Sequence, residues 1–393
     1  MTFDVLPSDF YGFESRLTEP EQDAVLKLRA FLDETVRPVV NGLWERGEMF
    51  GPEVHQGLAD LGIYGMAWDE TRRFENSAVF RGWVALELAR VDASVATLVG
   101  VQNGLAMGAI AQCGSPEQRA EWLPRLASAE LLGAFGLTEP LSGSDSAQGL
   151  RTTARRDGDT WILNGSKRWI GNGSIGDITV IWAKDTEDGQ VKGFIVPQDA
   201  PGYAATPIGG KGSLRIIQNA NITLTDVVVP ESNRLQNANS FRDTASVLRL
   251  TRAEVAWAAV GNSVQAYEAA VSYSKERIQF GKPIASHQLI QELLAKSLGN
   301  ITSSIALVTR VSEMLDEGTQ RDEHSALAKE FTTSRMRETV AWCREALGGN
   351  GIVLDYGAMR AFADAEALYS YEGTREMNTL IVGRAITGSA AFV

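Results

Sequence analysis

Apolar residues recur at helical spacing from about residue 20 to 130. Ala24, Val25, Leu28, Phe31 and Leu32 form one stripe, with Glu19 and Glu21 in the first turn, where a helix dipole favours acidic groups. Segments 80–90 and 116–126 repeat the pattern. Between about 131 and 240 the pattern changes to short β-rich runs at 160–163, 178–182, 193–196 and 222–229, the last ending at Pro230. Asp157-Gly158, Asn164-Gly165 and Asp188-Gly189 are hairpin-type dipeptides, so this stretch predicts an antiparallel sheet or barrel. From about 241 the helical period returns in segments near 243–279, 287–317 and 322–347, then 357–370 and 375–388. Short connections between long helices predict an antiparallel bundle. The expected fold class is α+β in three domains: helical over 1–130, an antiparallel β domain over 131–240, and a helical bundle over 241–393.

Composition narrows the function. A chain of 393 residues buries enough apolar surface to need no disulfide or metal staple. Its net charge of −12 repels phosphate backbones, so nucleic acid is not an expected partner. Cys113 and Cys343 lie far apart and suit a reducing compartment, while His55, His287 and His324 lack ligand-like spacing, so no metal is expected. Residues 1–16 carry Asp4, Asp9 and Glu14 and read as neither a secretory signal nor a transit peptide. No stretch approaches the roughly 18 apolar residues of a membrane span. The expectation is a soluble cytoplasmic protein with no membrane partner.

Four places carry candidate chemistry. Gly171-Asn172-Gly173-Ser174-Ile175-Gly176 matches G-x-G-x-x-G, but it precedes the strand at 178–182 instead of following one, so its glycines read as turn residues and not as a dinucleotide site. Phe135 to Asp145 combines backbone freedom with hydroxyls; it is either a loop of caps and turns or a surface for a phosphate or heterocycle. Trp169, in Lys167-Arg168-Trp169-Ile170-Gly171-Asn172, is either core or a stacking platform. In Tyr371-Glu372-Gly373-Thr374, Gly373 breaks one helix and Thr374 can cap the next. Glu372 at that junction is either a solvated loop residue or a base made stronger by desolvation.

These motifs, in this order, resemble the acyl-CoA dehydrogenase and acyl-CoA oxidase flavoproteins. The resemblance spans nearly the whole chain. It rests on Leu137-Thr138-Glu139-Pro140 with Gly143-Ser144-Asp145, Lys167-x-Trp169, Arg277-x-Gln279-Phe280-Gly281, and Leu347-Gly348-Gly349-Asn350-Gly351 leading to Tyr371-Glu372-Gly373-Thr374. The tail through Gly388 resembles glutaryl-CoA dehydrogenases. Arg168 to Asn172 and Asp199-Ala200-Pro201-Gly202 look closer to plant short-chain acyl-CoA oxidases.

The resemblance implies FAD bound between the β domain and the C-terminal bundle of a homotetramer. Leu137 and Thr138 would bond the flavin, Ser144 would lie near its diphosphate and the substrate, and Trp169 would pack on the ring, with Phe135 and Gly171 alongside. Arg277, Gln279 and Phe280 would reach a neighbouring subunit's cofactor. Gln288, Gly349 and Glu345, the last a departure from a glutamine common in the family, would approach the adenosine, and Thr374 and Glu376 would complete the set. Glu372 would be the base that removes the α-proton of an acyl-CoA, with Arg252 and Tyr371 beside the substrate. The expected reaction is dehydrogenation of a short-chain acyl-CoA to the trans-2-enoyl-CoA, with electrons passed to an electron-transfer flavoprotein. The alternatives are an oxidase using O2 and a non-decarboxylating enzyme of the glutaryl-CoA dehydrogenase kind. Some members carry the base one position before Arg252, but here that residue is Thr251.

Overall fold

The computed structural model describes residues 6–391; residues 1–5, which begin the N-terminal stretch discussed above, and 392–393 lie outside the described residues. The first third comprises α1 (Glu19–Phe31), α2 (Val40–Arg46), α3 (Pro52–Asp60), α4 (Ala78–Val91), α5 (Ala93–Val99), α6 (Gly108–Cys113) and α7 (Pro116–Ala127). Thr18 and Glu21 close a capping box at the start of α1, satisfying backbone donors the helix cannot. Val25, Leu28 and Leu32 from the stripe read in the sequence are fully buried.

Between α5 and α6, Gly100–Met107 is π-helical, so Ala93–Cys113 is one continuous helical run. Against the sequence expectation, this run is long and apolar enough to cross a membrane by length and composition; 78% of its 18-residue apolar window is buried inside the fold.

The middle third holds β1 (Gly133–Gly136), the short α8 (Ser146–Gly149), β2 (Thr153–Asp157), β3 (Thr160–Gly171), β4 (Ile178–Asp185), β5 (Val191–Pro197), β6 (Tyr203–Pro207) and β7 (Asn219–Pro230). Pairs β2·β3, β3·β7, β4·β5 and β6·β7 are antiparallel as expected, but β1 and β2 both run parallel to β4. Asp157-Gly158 turns the β2–β3 hairpin and Asp188-Gly189 lies between β4 and β5. Asn164-Gly165 does not turn the chain. It forms a bulge within β3, where Asn164 hydrogen-bonds Asp226 of β7.

The last third comprises α9 (Phe241–Glu276), a hairpin of β8 (Ile278–Gln279) and β9 (Lys282–Pro283), then α10 (Gln288–Asp316), α11 (Asp322–Ala346), α12 (Ala358–Ser370) and α13 (Arg375–Thr387). Helix α9 is the hub, packed by α4, α10, α11 and α12. Glycines set the closeness of α4 and α9: a Cβ on Gly82 would lie 2.2 Å from the Trp257 ring, and one on Gly261 2.2 Å from the Leu86 carbonyl oxygen. This packing fixes the first half of α9 against the π-helical segment and against the α12–α13 junction.

Candidate active site

Helix α12 stops at Ser370, and the next residues turn sharply: Glu372 has φ 54° and Gly373 φ 81°. Left-handed φ suits glycine but strains a glutamate by about 1–3 kcal/mol, so the surroundings must impose it. Lys329 of α11 does so, donating from Nζ to the carbonyls of Tyr369 and Gly373, both at 2.8 Å. Asn378 donates to the carbonyls of Gly373 and Thr374. Thr374 caps α13, its hydroxyl accepting from the Met377 amide.

Glu372 is thereby aimed at α9, where the Thr251 hydroxyl donates to its Oε2 at 2.6 Å. Its Oε1 has no partner among the described residues. Burial raises the affinity of Glu372 for a proton; the Thr251 hydrogen bond and the charges of Arg252 and Lys329 oppose the rise without cancelling it. Glu372 is half-buried and hydrogen-bonded, not a freely solvated loop carboxylate. Burial likewise pulls the Lys329 ammonium down to about 8, against the attraction of Glu372. Arg252 pairs with Asp322 and, among the described residues, makes no hydrogen bond to the loop. The Tyr371 hydroxyl lies 3.4 Å from that of Thr97 on α5.

The strand domain offers a second wall. Lys167, fully buried in β3, donates to Leu137 O at 3.1 Å, Glu139 Oε1 at 2.9 Å and Trp182 O at 2.7 Å, one oxygen for each ammonium proton. Burial lowers its pKa to about 8 against the attraction of Glu139. The Arg168 amide donates to Thr138 O, so Leu137 and Thr138 are anchored on both sides. Trp169 breaks the β3–β7 register with φ 65° and leaves its ring 51% exposed, with the Arg168 guanidinium 5.1 Å from the ring centroid. Trp169 is therefore not core. Phe135 is, against Trp182. Ser144 is exposed in the loop before α8, and Gly171 is buried at the end of β3, where a Cβ would lie 3.1 Å from Val101 Cγ2.

The remaining predicted positions lie on the bundle's surface. Arg277 ends α9, and Gln279 and Phe280 form an exposed hairpin, Phe280 being 94% exposed. Gln288 opens α10, Glu345 is exposed near the end of α11, and Gly349 sits in an open turn where a Cβ would meet no atom within 4 Å. Glu376 pairs with Arg375. Among the described residues, no hydrogen bond or ion pair joins this group to the Leu137–Trp169 wall. Sequence reasoning missed Lys329 and Glu254 and saw Thr251 only as a departure. Glu254 lies three residues beyond Thr251 on α9, and burial together with the charge of Glu372 raises it to about 7 against the pull of Arg81.

Comparison with known proteins adds identity of kind. Family profiles described as the N-terminal, middle and C-terminal domains of acyl-CoA dehydrogenase match residues 18–130, 134–227 and 241–387. The chain is 30% identical over 366 residues to a Bacillus subtilis (strain 168) "Acyl-CoA dehydrogenase", covering 92% of this chain and 96% of that one. A solved glutaryl-CoA dehydrogenase of Mycobacterium smegmatis in complex with FADH2 superposes with a TM-score of 0.95 at 35% identity, covering 99% of this chain and 100% of that one. Butyryl-CoA dehydrogenase of Megasphaera elsdenii gives 0.90 at 30%, covering 94% and 99%.

Proposed function

The chain belongs to the acyl-CoA dehydrogenase family, and on that premise we propose that it dehydrogenates a short, uncharged acyl-CoA to the trans-2-enoyl-CoA, with Glu372 as the base. It is an FAD-dependent oxidoreductase. The chain's own residues fit that cofactor: an exposed indole on a strained strand end beside a loop anchored by Lys167 is suited to a flat heterocycle. Leu137, Thr138 and Trp169 would hold it. FAD, when bound, supplies the acceptor for the substrate's β-hydride.

The observation that carries the reading is the state of Glu372. One oxygen is oriented by Thr251, the other is free to accept the α-proton, and burial strengthens the base. Thr251 holds Oε2 and Lys329 holds the adjoining Gly373 carbonyl, so little reorganisation accompanies the transfer. Release of electrons to an electron-transfer flavoprotein, in preference to O2, is favoured by Val101, whose side chain stands over the space that Gly171 leaves. The exposed apolar residues Phe280, Leu289 and Ile352 favour assembly, here as a homotetramer in which the hairpin completes a neighbour's site. The reading includes a cytoplasmic enzyme, with most of the apolar window of Ala93–Cys113 buried inside the fold.

The test is anaerobic titration of the holoenzyme with a panel of acyl-CoAs. Bleaching of the flavin absorbance by a short-chain acyl-CoA is expected; no bleaching by any member rejects the reading.

A further inference from the structure

Helix α9 and the π-helical segment run antiparallel in contact: Gly108 faces Val247, and Gly104 faces Thr251 and Glu254. A Cβ on Gly104 would lie 2.6 Å from Glu254 Oε2 and 3.0 Å from Thr251 Cγ2, so the carboxylate lies over that glycine, in the space a side chain would take. Gly100, one turn earlier, opens on empty space, with no atom within 4 Å of its Cβ position. The glycine that Glu254 covers is thus one helical turn from that open space, and Glu254 shares a face of α9 with Thr251, which holds Glu372.

Glu254 makes no hydrogen bond or ion pair among the described residues. The nearby cation, Arg81, donates instead to the backbone and side-chain oxygens of Asn76 and sits 3.7 Å from Asp316. A half-buried carboxylate without a partner is costly, and the cost falls when a ligand brings the donor. We propose that Glu254 determines substrate specificity by accepting a hydrogen bond from a hydroxyl on the distal part of the acyl chain. The inference rests on the acyl-CoA reading above. It selects ω-hydroxyacyl over plain acyl chains and disfavours chains ending in a carboxylate, which would face Glu254 with like charge.

The experiment measures kcat/KM of the holoenzyme for butyryl-CoA and 4-hydroxybutyryl-CoA with an artificial electron acceptor, in wild type, Glu254→Gln and Glu254→Leu. Binding of both thioesters is measured by calorimetry in a Glu372→Gln background, with and without Glu254→Leu. Wild type should prefer the hydroxylated thioester by roughly tenfold or more, as a site with an otherwise unpaired polar group does. Glu254→Leu should abolish or invert that ratio in turnover and in binding, and Glu254→Gln should fall between. If Glu254→Leu does not retain FAD, the wild-type ratio and the isosteric Glu254→Gln decide. Turnover of butyryl-CoA with no preference in wild type, or with a preference that Glu254→Gln and Glu254→Leu leave unchanged, overturns the role of Glu254 alone. Turnover of neither thioester, with no flavin bleaching by the wider panel, overturns the acyl-CoA reading and this inference with it.

Discussion

Lys329 on α11 donates to the Gly373 carbonyl at 2.8 Å, and so fixes the residue next to Glu372 although the two lie 44 positions apart. The same ammonium holds Tyr369 O, so it brackets Glu372. Lys329→Met leaves two carbonyls without this donor, at about 1–3 kcal/mol for each left unsatisfied. The expected result is a drop in the flavin reduction rate of roughly tenfold or more with FAD content retained, because a loosened base loses its alignment. Stopped-flow reduction checks this; a wild-type rate would show that Asn378 alone holds the loop.

Glu372→Gln keeps the shape of the proposed base and removes its proton acceptor. Flavin reduction should fall by about a hundredfold to ten-thousandfold while bound FAD is unchanged. Stability offers a second readout. Because the folded-state pKa of Glu372 lies above its ordinary 4.5, the folded chain holds a proton that the unfolded chain has released, so stability falls as pH rises through that window and the penalty is complete above it. Glu372→Gln should therefore raise Tm at pH 8, with the gain shrinking toward pH 4.5.

Thr251→Val removes the hydrogen bond that holds the Glu372 pKa down. The acidic limb of the reduction rate against pH should move to higher pH, and the plateau rate should fall as the carboxylate loses its orientation. A limb that stays in place would remove Thr251 from the base's environment.

Glutaryl-CoA should be a poor substrate and release no CO2. The structure puts the carboxylate of Glu254 over Gly104, one helical turn from the open space at Gly100. A distal carboxylate there gains no free cation and meets a like charge. Labelled CO2 from glutaryl-CoA at a rate near that of butyryl-CoA turnover would show that Arg81 can leave Asn76 to bind it.

Gly171 tests the electron acceptor. A Cβ at Gly171 would lie 3.1 Å from Val101 Cγ2, so Val101 crowds the space beside this glycine. Product-bound reduced enzyme should reoxidise slowly in air-saturated buffer, with little peroxide, and Val101→Ala should speed it. Gly171→Thr should lower Tm, because a Cβ already sits 3.1 Å from Val101 and overpacking costs about 1–3 kcal/mol. Stoichiometric peroxide at the turnover rate in wild type would establish an oxidase.

The sequence alone determined what depends on neighbours along the chain. The stripe of Val25, Leu28 and Leu32 marks a buried helix face because 3.6-residue periodicity is local, and Gly373 with Thr374 marks a helix break and a cap because φ freedom and a hydroxyl act within one turn. The tertiary structure decided what depends on distant partners. Asp157-Gly158 and Asn164-Gly165 carry similar turn chemistry, yet only the first turns the chain, because β3 continues past Asn164 to pair with β7. The parallel pairing of β1 and β2 with β4 leaves no local mark either. Trp169, core or platform from its type, is left exposed where the β3–β7 register slips around it. Thr251 and Glu372 stand 121 residues apart, and neither residue type announces the other. Their contact, the grip of Lys329 and the place of Glu254 over Gly104 follow from packing α9 between α11 and the π-helical segment, and burial there raises the proton affinity of an ordinary glutamate.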